Sequence, residues 1–391
     1  METIVYDLNA ACNGKLEAVL NTSHPEHDEV LKANCLSVKP AIWKDRTYSI
    51  IRYSKPLLND GNARNAGLFR SVIVCEGRIV SFSPPKSVAR DWYSALDNVW
   101  DSTILEEFIE GTMVNVFNVD GEWEIATRSM IGANGRFFND SGSNTFRAMF
   151  YDAMRTCGPS ANSDDNGGIF AMLDPAYSYS FVFQHPENQI VTKVTAPELY
   201  LIRMYSIDGM NVTEYLPDSP EVIQVFRGEG NDGSKCLIDF PIRFPFTDYE
   251  SLVEEWTTIN RPHSQMGVVL FSKQYNCRSK IRNPSYEMVR HLRGNQPKLQ
   301  YQYLELRSRG QVEQYLKHFP KARGEFSKYR EQVHLFTTTL YSNYHECFVK
   351  KEKGLKDYPY QFKPHMFALH KRFIDEFKSG NKFFVSFSVV K

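Results

Sequence analysis

The seven cysteines of this chain, Cys12, Cys35, Cys75, Cys157, Cys236, Cys277 and Cys347, include no C-x-x-C pair, and no histidine cluster completes a zinc site. An odd number at irregular spacing speaks against a disulfide framework and reads as free thiols in a reducing compartment. No run approaches the ~18 consecutive apolar residues of a membrane span. The opening METIVYDLNA lacks a basic segment followed by an apolar one. The expectation is a soluble, intracellular protein without membrane contact. No G-x-x-x-x-G-K-(S/T) loop and no G-x-S-x-G elbow occur, which removes the P-loop NTPases and the α/β-hydrolases. Internal repeats and low-complexity tracts are also missing.

What is present suffices for a packed core. Of 391 residues, 42% are hydrophobic and 14% aromatic, enough for two ordinary domains or one large domain with an appendage. Residues 1–44 are polar and partly helical in pattern and read as an N-terminal extension. From about 45 to 284 short β-rich runs dominate: Tyr48–Tyr53, Ser71–Val74, Arg78–Phe82, Thr112–Phe117, Trp123–Thr127, Tyr179–Phe183 and Gly267–Phe271. Asp120-Gly121 between two such runs predicts a hairpin turn, and Asp208-Gly209 another turn. Gly158–Gly168 reads as a polar, mobile loop. From 285 onward apolar residues recur at three and four, predicting helices over Tyr286–Leu292, Val312–His318, Lys328–Glu346 and His365–Phe377.

Formal charge is zero overall but changes at the same boundary. Residues 285–391 hold 20 Lys+Arg against 10 Asp+Glu, leaving 26 against 36 in residues 1–284. A basic, aromatic-rich, helical tail after an acidic body suits a nucleic-acid surface. The same charges could equally solvate helix faces. Arg290, Arg293 and Lys298 are the candidate RNA contacts. Tyr301 and Tyr303 read instead as residues packing the tail against the body. The His24-Pro25-Glu26-His27-Asp28 stretch lacks further ligands and reads as a solvated loop, so no metal site is assigned.

Four stretches together resemble one family. They are Leu68–Ser87 (LFRSVIVCEGRIVSFSPPKS), Glu106–Ser129 (EEFIEGTMVNVFNVDGEWEIATRS), Phe181–Val191 (FVFQHPENQIV) and Met266–Asn283 (MGVVLFSKQYNCRSKIRN). In order and spacing they are similar to the motifs of phage-type ATP-dependent RNA ligases, covalent nucleotidyltransferases, and closest in character to members from large DNA viruses. The resemblance spans roughly residues 45–285. It implies an α+β fold: a nucleotidyltransferase (ATP-grasp-like ligase) core of antiparallel sheets flanked by helices, residues 45–284, plus a basic, mostly helical C-terminal domain, residues 285–391. It also implies ATP or AMP as ligand, RNA with a 5′-phosphate end as partner, and the cytoplasm of a virus-infected host cell as setting.

The resemblance assigns roles residue by residue. Arg70 and Lys86 fall on phosphate-contacting positions, as do Arg128, Lys280 and Arg282. Glu110 and Gly111 lie in the nucleophile motif K-x-D-G-(S/T), but Phe108 stands where the AMP-accepting lysine belongs. Gln184 replaces a ribose-binding Glu, and Met266 replaces a metal-associated Glu. A phenyl ring has no lone pair to attack phosphorus, and a thioether does not hold Mg2+, which takes oxygen ligands. The expectation is therefore an RNA ligase-like, nucleotide- or RNA-end-binding pseudoenzyme with weakened Mg2+ binding. Two alternatives stay open. Lys86, set after Pro84-Pro85, could be a relocated nucleophile in an active ligase, or the chain could be a scaffold that docks a partner through its basic tail.

Overall fold

The structure, a computed structural model, describes residues 4–137, 144–157, 168–227, 238–258 and 260–390. The expected loop Gly158–Gly168 lies, apart from Gly168, outside them. The chain divides into two compact units, Met1–Pro297 and Lys298–Lys391.

The first unit is α+β and built on three sheets, every strand pairing antiparallel. The largest has seven strands in the order Ile4–Asp7, Asn211–Tyr215, Glu198–Asp208, Tyr177–Gln184, Thr112–Val119, Glu122–Thr127, Met130–Ile131. A second, of four, runs Arg243–Phe244, Thr103–Glu107, Gly267–Ser272, Cys277–Arg282, and a third runs Leu36–Trp43, Arg46–Tyr53, Val72–Cys75, Arg78–Ser81. Asp120 (φ 51°) and Gly121 (φ 90°) make the expected hairpin turn, the left-handed pair that suits the twist of its strands.

Period two decides what each face of the central strand Tyr177–Gln184 touches. Tyr179, Phe181 and Phe183 are buried with Met149, Phe150, Ala153 and Met154 of the helix Phe146–Cys157. Burying a side chain such as Phe150 contributes about 2–3 kcal/mol. The opposite face carries Ser180, whose hydroxyl donates to Asn115 Oδ1 at 2.9 Å, and Val182, which lines a cavity described below.

The segment read as an N-terminal extension is integral to this unit. Ile4–Asp7 pairs with Asn211–Tyr215, and Leu36–Trp43 pairs with Arg46–Tyr53. Pro40 is tolerated because its strand lies at a sheet edge, where a missing donor breaks no ladder. The helix Pro284–Arg293 also belongs to the first unit. Asn283 caps it by accepting from Ser285 N–H, and Pro284 occupies its first turn.

The second unit is helical: Leu299–Ser308, Val312–His318, Arg323–Tyr344, Lys363–Lys378 and Phe387–Val390. Tyr303 is buried within it against the Phe326 ring at 5.2 Å, whereas Tyr301 is exposed. No helix among the described residues is long and apolar enough to cross a membrane. Cys12, Cys35, Cys75, Cys277 and Cys347 are free thiols.

Candidate anion-binding site

A cavity of about 360 Å³ opens within the first unit. One wall comes from the seven-stranded sheet, with Thr112, Met113, Val182, Ile202 and Arg203, and the other from the second sheet, with Glu106, Val269, Arg278, Lys280 and Arg282. The strand Cys277–Arg282 explains the cluster. Cys277, Ser279 and Ile281 turn into the protein, so Arg278, Lys280 and Arg282 share the other face, two residues apart. Arg70 adds a fourth cation from the segment preceding the strand Val72–Cys75.

The partners of these cations differ. Arg203 is neutralised: Nη2 meets Glu106 Oε2 and Nε meets Glu214 Oε1, each at 2.6 Å. Burial acts to lower its pKa, but Glu106 and Glu214 outweigh burial and hold it above the ordinary value. Arg282 donates to Glu287 at 2.6 Å. Arg278 is buried with Nε unbonded. Among the described residues neither the Arg70 guanidinium nor the Lys280 amine makes a hydrogen bond or an ion pair with a carboxylate.

The electrostatics follow. Arg70 is brought down to about 10 by burial and by Arg278, so it stays charged at neutral pH. Arg278 is lowered by burial and Arg203. Lys280 falls to about 5, through burial first and then Arg278, Arg70, Arg282 and Lys86. Its Nζ lies 4.2 Å from the Phe108 ring centroid and Arg282 Cζ 5.3 Å from it. With the amine neutral, only the Arg282 contact is a true cation–π pair.

Phe108 thus stands inside the cavity with Gly111, Thr112, Asn188 and Met266 around it. Asn188 Nδ2 donates to Thr112 Oγ1 at 2.8 Å, joining two of the resembling stretches. Gly111 has φ +143°, and a Cβ there would lie 2.4 Å from Phe183 O. Gly267 has φ +140°, and its Cβ would lie 2.1 Å from Ile281 O. Only glycine fits either place.

Several expected residues sit elsewhere. Lys86 does not line the cavity: its Nζ donates to Ser87 O at 3.2 Å and its backbone N–H to Gly67 O, although its charge reaches Lys280. Arg128 is exposed, placed over the Tyr53 ring at 4.8 Å, and touches only the backbone oxygen of Arg70, at 3.4 Å. Glu110 closes a turn. Its carboxylate accepts from Val191 N–H at 3.0 Å, from Thr192 N–H at 3.1 Å and from the Thr192 hydroxyl at 3.1 Å. Burial raises its pKa against the pull of these bonds. Gln184 donates to Glu110 O at 2.9 Å. Glu110 and Gln184 line a neighbouring cavity of about 220 Å³, which shares Glu107, Phe108, Ile109 and Met266 with the first. Arg290 and Arg293 line the cationic cavity, Arg290 beside Glu287 at 3.1 Å and Arg293 over the Phe137 ring at 4.0 Å. Lys298 belongs to the second unit.

Arg278 and Arg203 were not singled out from the sequence. Arg278 had a signal, since it alternates with Lys280 and Arg282. Arg203 had none, because Glu106 and Glu214 meet it only through folding. The cavity's residues do not suit Mg2+. Among the described residues no three carboxylate, histidine or cysteine groups converge, and Glu106 is committed to Arg203. The anhydride and monoester phosphates of ATP or AMP match the cationic wall better than a metal does. The His24–Asp28 stretch is tied locally, Glu26 to Lys15 at 3.0 Å and His27 Nδ1 to Ala18 O at 2.8 Å.

No family model matches the chain, and no curated protein matches it. Among solved structures, it is similar to a putative ATP-dependent DNA ligase from Aquifex aeolicus, at 12% identity and TM-score 0.41, over 83% of this chain and 76% of that one. A mutant RNA ligase of Naegleria gruberi with ATP and Mn is 11% identical at TM-score 0.36, over 54% of this chain and 59% of that one. Another mutant of the Naegleria ligase with ATP and Mn is 12% identical at TM-score 0.36, over 64% and 76%. Likenesses this low assign no activity to the chain.

Proposed function

We propose that this chain is an RNA ligase-like protein of nucleotidyltransferase type that binds a nucleotide or a phosphorylated RNA end and forms no lysyl-AMP. The observation that carries the reading is the wall of Arg70, Arg278 and Lys280, none of which has a carboxylate partner in the cavity it faces; the motif resemblance puts Phe108 at the position of the nucleophile. Unpaired buried guanidinium groups are costly unless an anion completes them, and a phosphate suits their fixed donors. Arg290 and Arg293 extend the cationic lining, and with Lys298 of the second unit they are the candidate contacts to RNA backbone. Such contacts release counterions, so binding weakens as salt rises.

Adenylyl transfer needs an attacking amine and charge relief for departing pyrophosphate. Phe108 cannot attack, and of the two carboxylates of the strand Thr103–Glu107 that line the cavity, Glu106 is held by Arg203 and Arg243 and Glu107 accepts from Ile242 N–H. Incubation with labelled ATP and Mg2+ followed by a denaturing gel should give no labelled band. A band from the unaltered protein would overturn the pseudoenzyme reading. Phe108→Lys alone should remain weak, since the carboxylates expected at Gln184 and Met266 are still missing. The triple change with Gln184→Glu and Met266→Glu should label more strongly than Phe108→Lys.

A further inference from the structure

The phosphate-binding reading leaves one group of the cavity unexplained. A lysine that only bound phosphate would serve best as an ammonium ion, yet Lys280 is built to be neutral. It shares one strand face with Arg278 and Arg282, Arg70 also lines the cavity, and Nζ is packed 4.2 Å from the centre of the Phe108 ring. Nothing among the described residues accepts a hydrogen bond from it, and neither carboxylate lining the cavity pairs with it: Glu106 is held by Arg203 and Arg243, and Glu107 accepts from Ile242 N–H. Desolvation beside other cations is the arrangement that turns a lysine into a nucleophile at neutral pH. A methionine at 280 would fill similar space without burying an amine.

The neighbouring groups limit what such an amine can attack. The electrophile must carry an anion to be drawn among Arg70, Arg278 and Arg282. Attack on phosphorus in this class of reaction draws on a metal ion as well as on cationic side chains, and the residues of this cavity do not suit one. Attack on a carbonyl carbon expels only water. We propose that Lys280 is a catalytic amine that forms an imine with a phosphate-bearing aldehyde, the phosphate held by Arg70 and Arg278. This rests on the anion-binding reading of the same cavity.

The step balances without a further reactant. The Nζ lone pair adds to the carbonyl carbon, and the carbonyl electron pair moves to oxygen, which takes a proton. Nitrogen loses its protons as the carbinolamine expels water, and the C=N bond forms. Amine and aldehyde give imine and water, with no change of oxidation state. A phosphate placed directly against Nζ would protonate it and stop the reaction. Arg70 and Arg278 therefore have to hold the phosphate while the aldehyde faces Lys280. Two sources share this chemistry: an open-chain sugar phosphate, and a 5′-phosphorylated nucleic-acid end whose terminal sugar is abasic.

The test uses the full chain at pH 6.5, pyridoxal 5′-phosphate, borohydride trapping and peptide mass spectrometry. An ordinary lysine, of pKa ~10.4, is neutral in only about one molecule in 10⁴ at that pH. Lys280 should therefore be labelled at least ~100-fold faster than exposed lysines. Pyridoxal without its phosphate should react at least ~10-fold more slowly, as should the Arg70→Ala variant with the phosphate form. Lys280→Met and Lys280→Arg, each checked for folding by circular dichroism, should lose the adduct. Two further arms, glyceraldehyde 3-phosphate and a 5′-phosphorylated oligonucleotide with an abasic 5′ sugar, identify the source by which one is trapped on Lys280. Labelling spread over surface lysines, equal rates with and without phosphate, or failure of both arms overturns the proposal. Binding of 5′-phosphorylated RNA is measured on the same sample. If it binds and no adduct forms, only the imine is refuted; if neither occurs, the anion-binding reading falls as well.

Discussion

Replacing Lys280 by methionine should stabilise the protein, and by an amount that depends on pH. The folded-state pKa of Lys280 is about 5, depressed by burial, Arg278, Arg70, Arg282 and Lys86. An unfolded lysine titrates near 10.4. Between these values the unfolded chain holds one proton more than the folded chain, so the contribution of Lys280 to stability rises with pH. Lowering the pH through this window destabilises the wild type relative to Lys280→Met. Below about pH 5 both states are protonated and the difference stops growing. The limiting slope is about 1.4 kcal/mol per pH unit, or about 2.7 kcal/mol between pH 9 and pH 7. The side chain is only partly buried, which screens it, so about 1–2 kcal/mol is expected. Urea unfolding followed by tryptophan fluorescence isolates the effect. All five tryptophans, Trp43, Trp92, Trp100, Trp123 and Trp256, lie in the first unit. Glu107, whose pKa burial raises, and the other titrating groups are common to both proteins and cancel in the difference. A wild-type-to-variant difference that does not change between pH 7 and pH 9 would refute the claim that Lys280 is neutral.

Other consequences concern the frame of the cavity. Gly111→Ala and Gly267→Ala should each cost more than about 2 kcal/mol, because the new methyl meets a backbone oxygen at 2.4 or 2.1 Å in a left-handed conformation; thermal melts would show it, and wild-type melting would contradict it. Arg203→Met leaves buried Glu106 with only the longer Arg243 contact at 3.7 Å and buried Glu214 with only the Tyr6 hydroxyl at 2.8 Å and should cost about 3–5 kcal/mol, whereas Glu287→Gln, at a half-buried pair with Arg282, should cost less than about 1 kcal/mol.

Period-two patterning placed Thr112–Val119, Tyr177–Gln184 and Gly267–Ser272 but not Thr103–Glu107, Glu198–Asp208 or Cys277–Arg282, which carry most of the charges of the site, and helical spacing placed the long helices of the second unit. Leu36–Trp43 was hidden by Pro40, which makes a poor central strand and an acceptable edge. Within the β-rich stretch, the helices Phe146–Cys157, Pro220–Arg227 and Tyr249–Thr257 intervene. For the site, Arg70, Lys280, Arg282, Phe108, Gly111 and Met266 were expected together and line one cavity. Glu110, Gln184, Lys86 and Arg128 were expected with them and do not line it. The difference is physical: a residue's place along a strand is local, but whether its side chain reaches a cavity or is taken by a neighbouring backbone group depends on partners far away in sequence. Glu110 shows this, since its acceptors are consumed by Val191 and Thr192, ~80 residues on. The neutrality of Lys280 was equally invisible, because it arises from burial and from four cations brought together only by folding.

The central claim is that a terminal phosphate completes the unpaired cations of the cavity. The most direct measurement is fluorescence anisotropy of one RNA oligonucleotide carrying either a 5′-phosphate or a 5′-hydroxyl, titrated with the intact protein and with Arg70→Ala/Arg278→Ala. The account predicts at least ~10-fold tighter binding of the phosphorylated end by the intact protein, consistent with about 1.5–3 kcal/mol per charged hydrogen bond, and loss of that preference in the variant. Equal affinity for the two ends in the intact protein would contradict it.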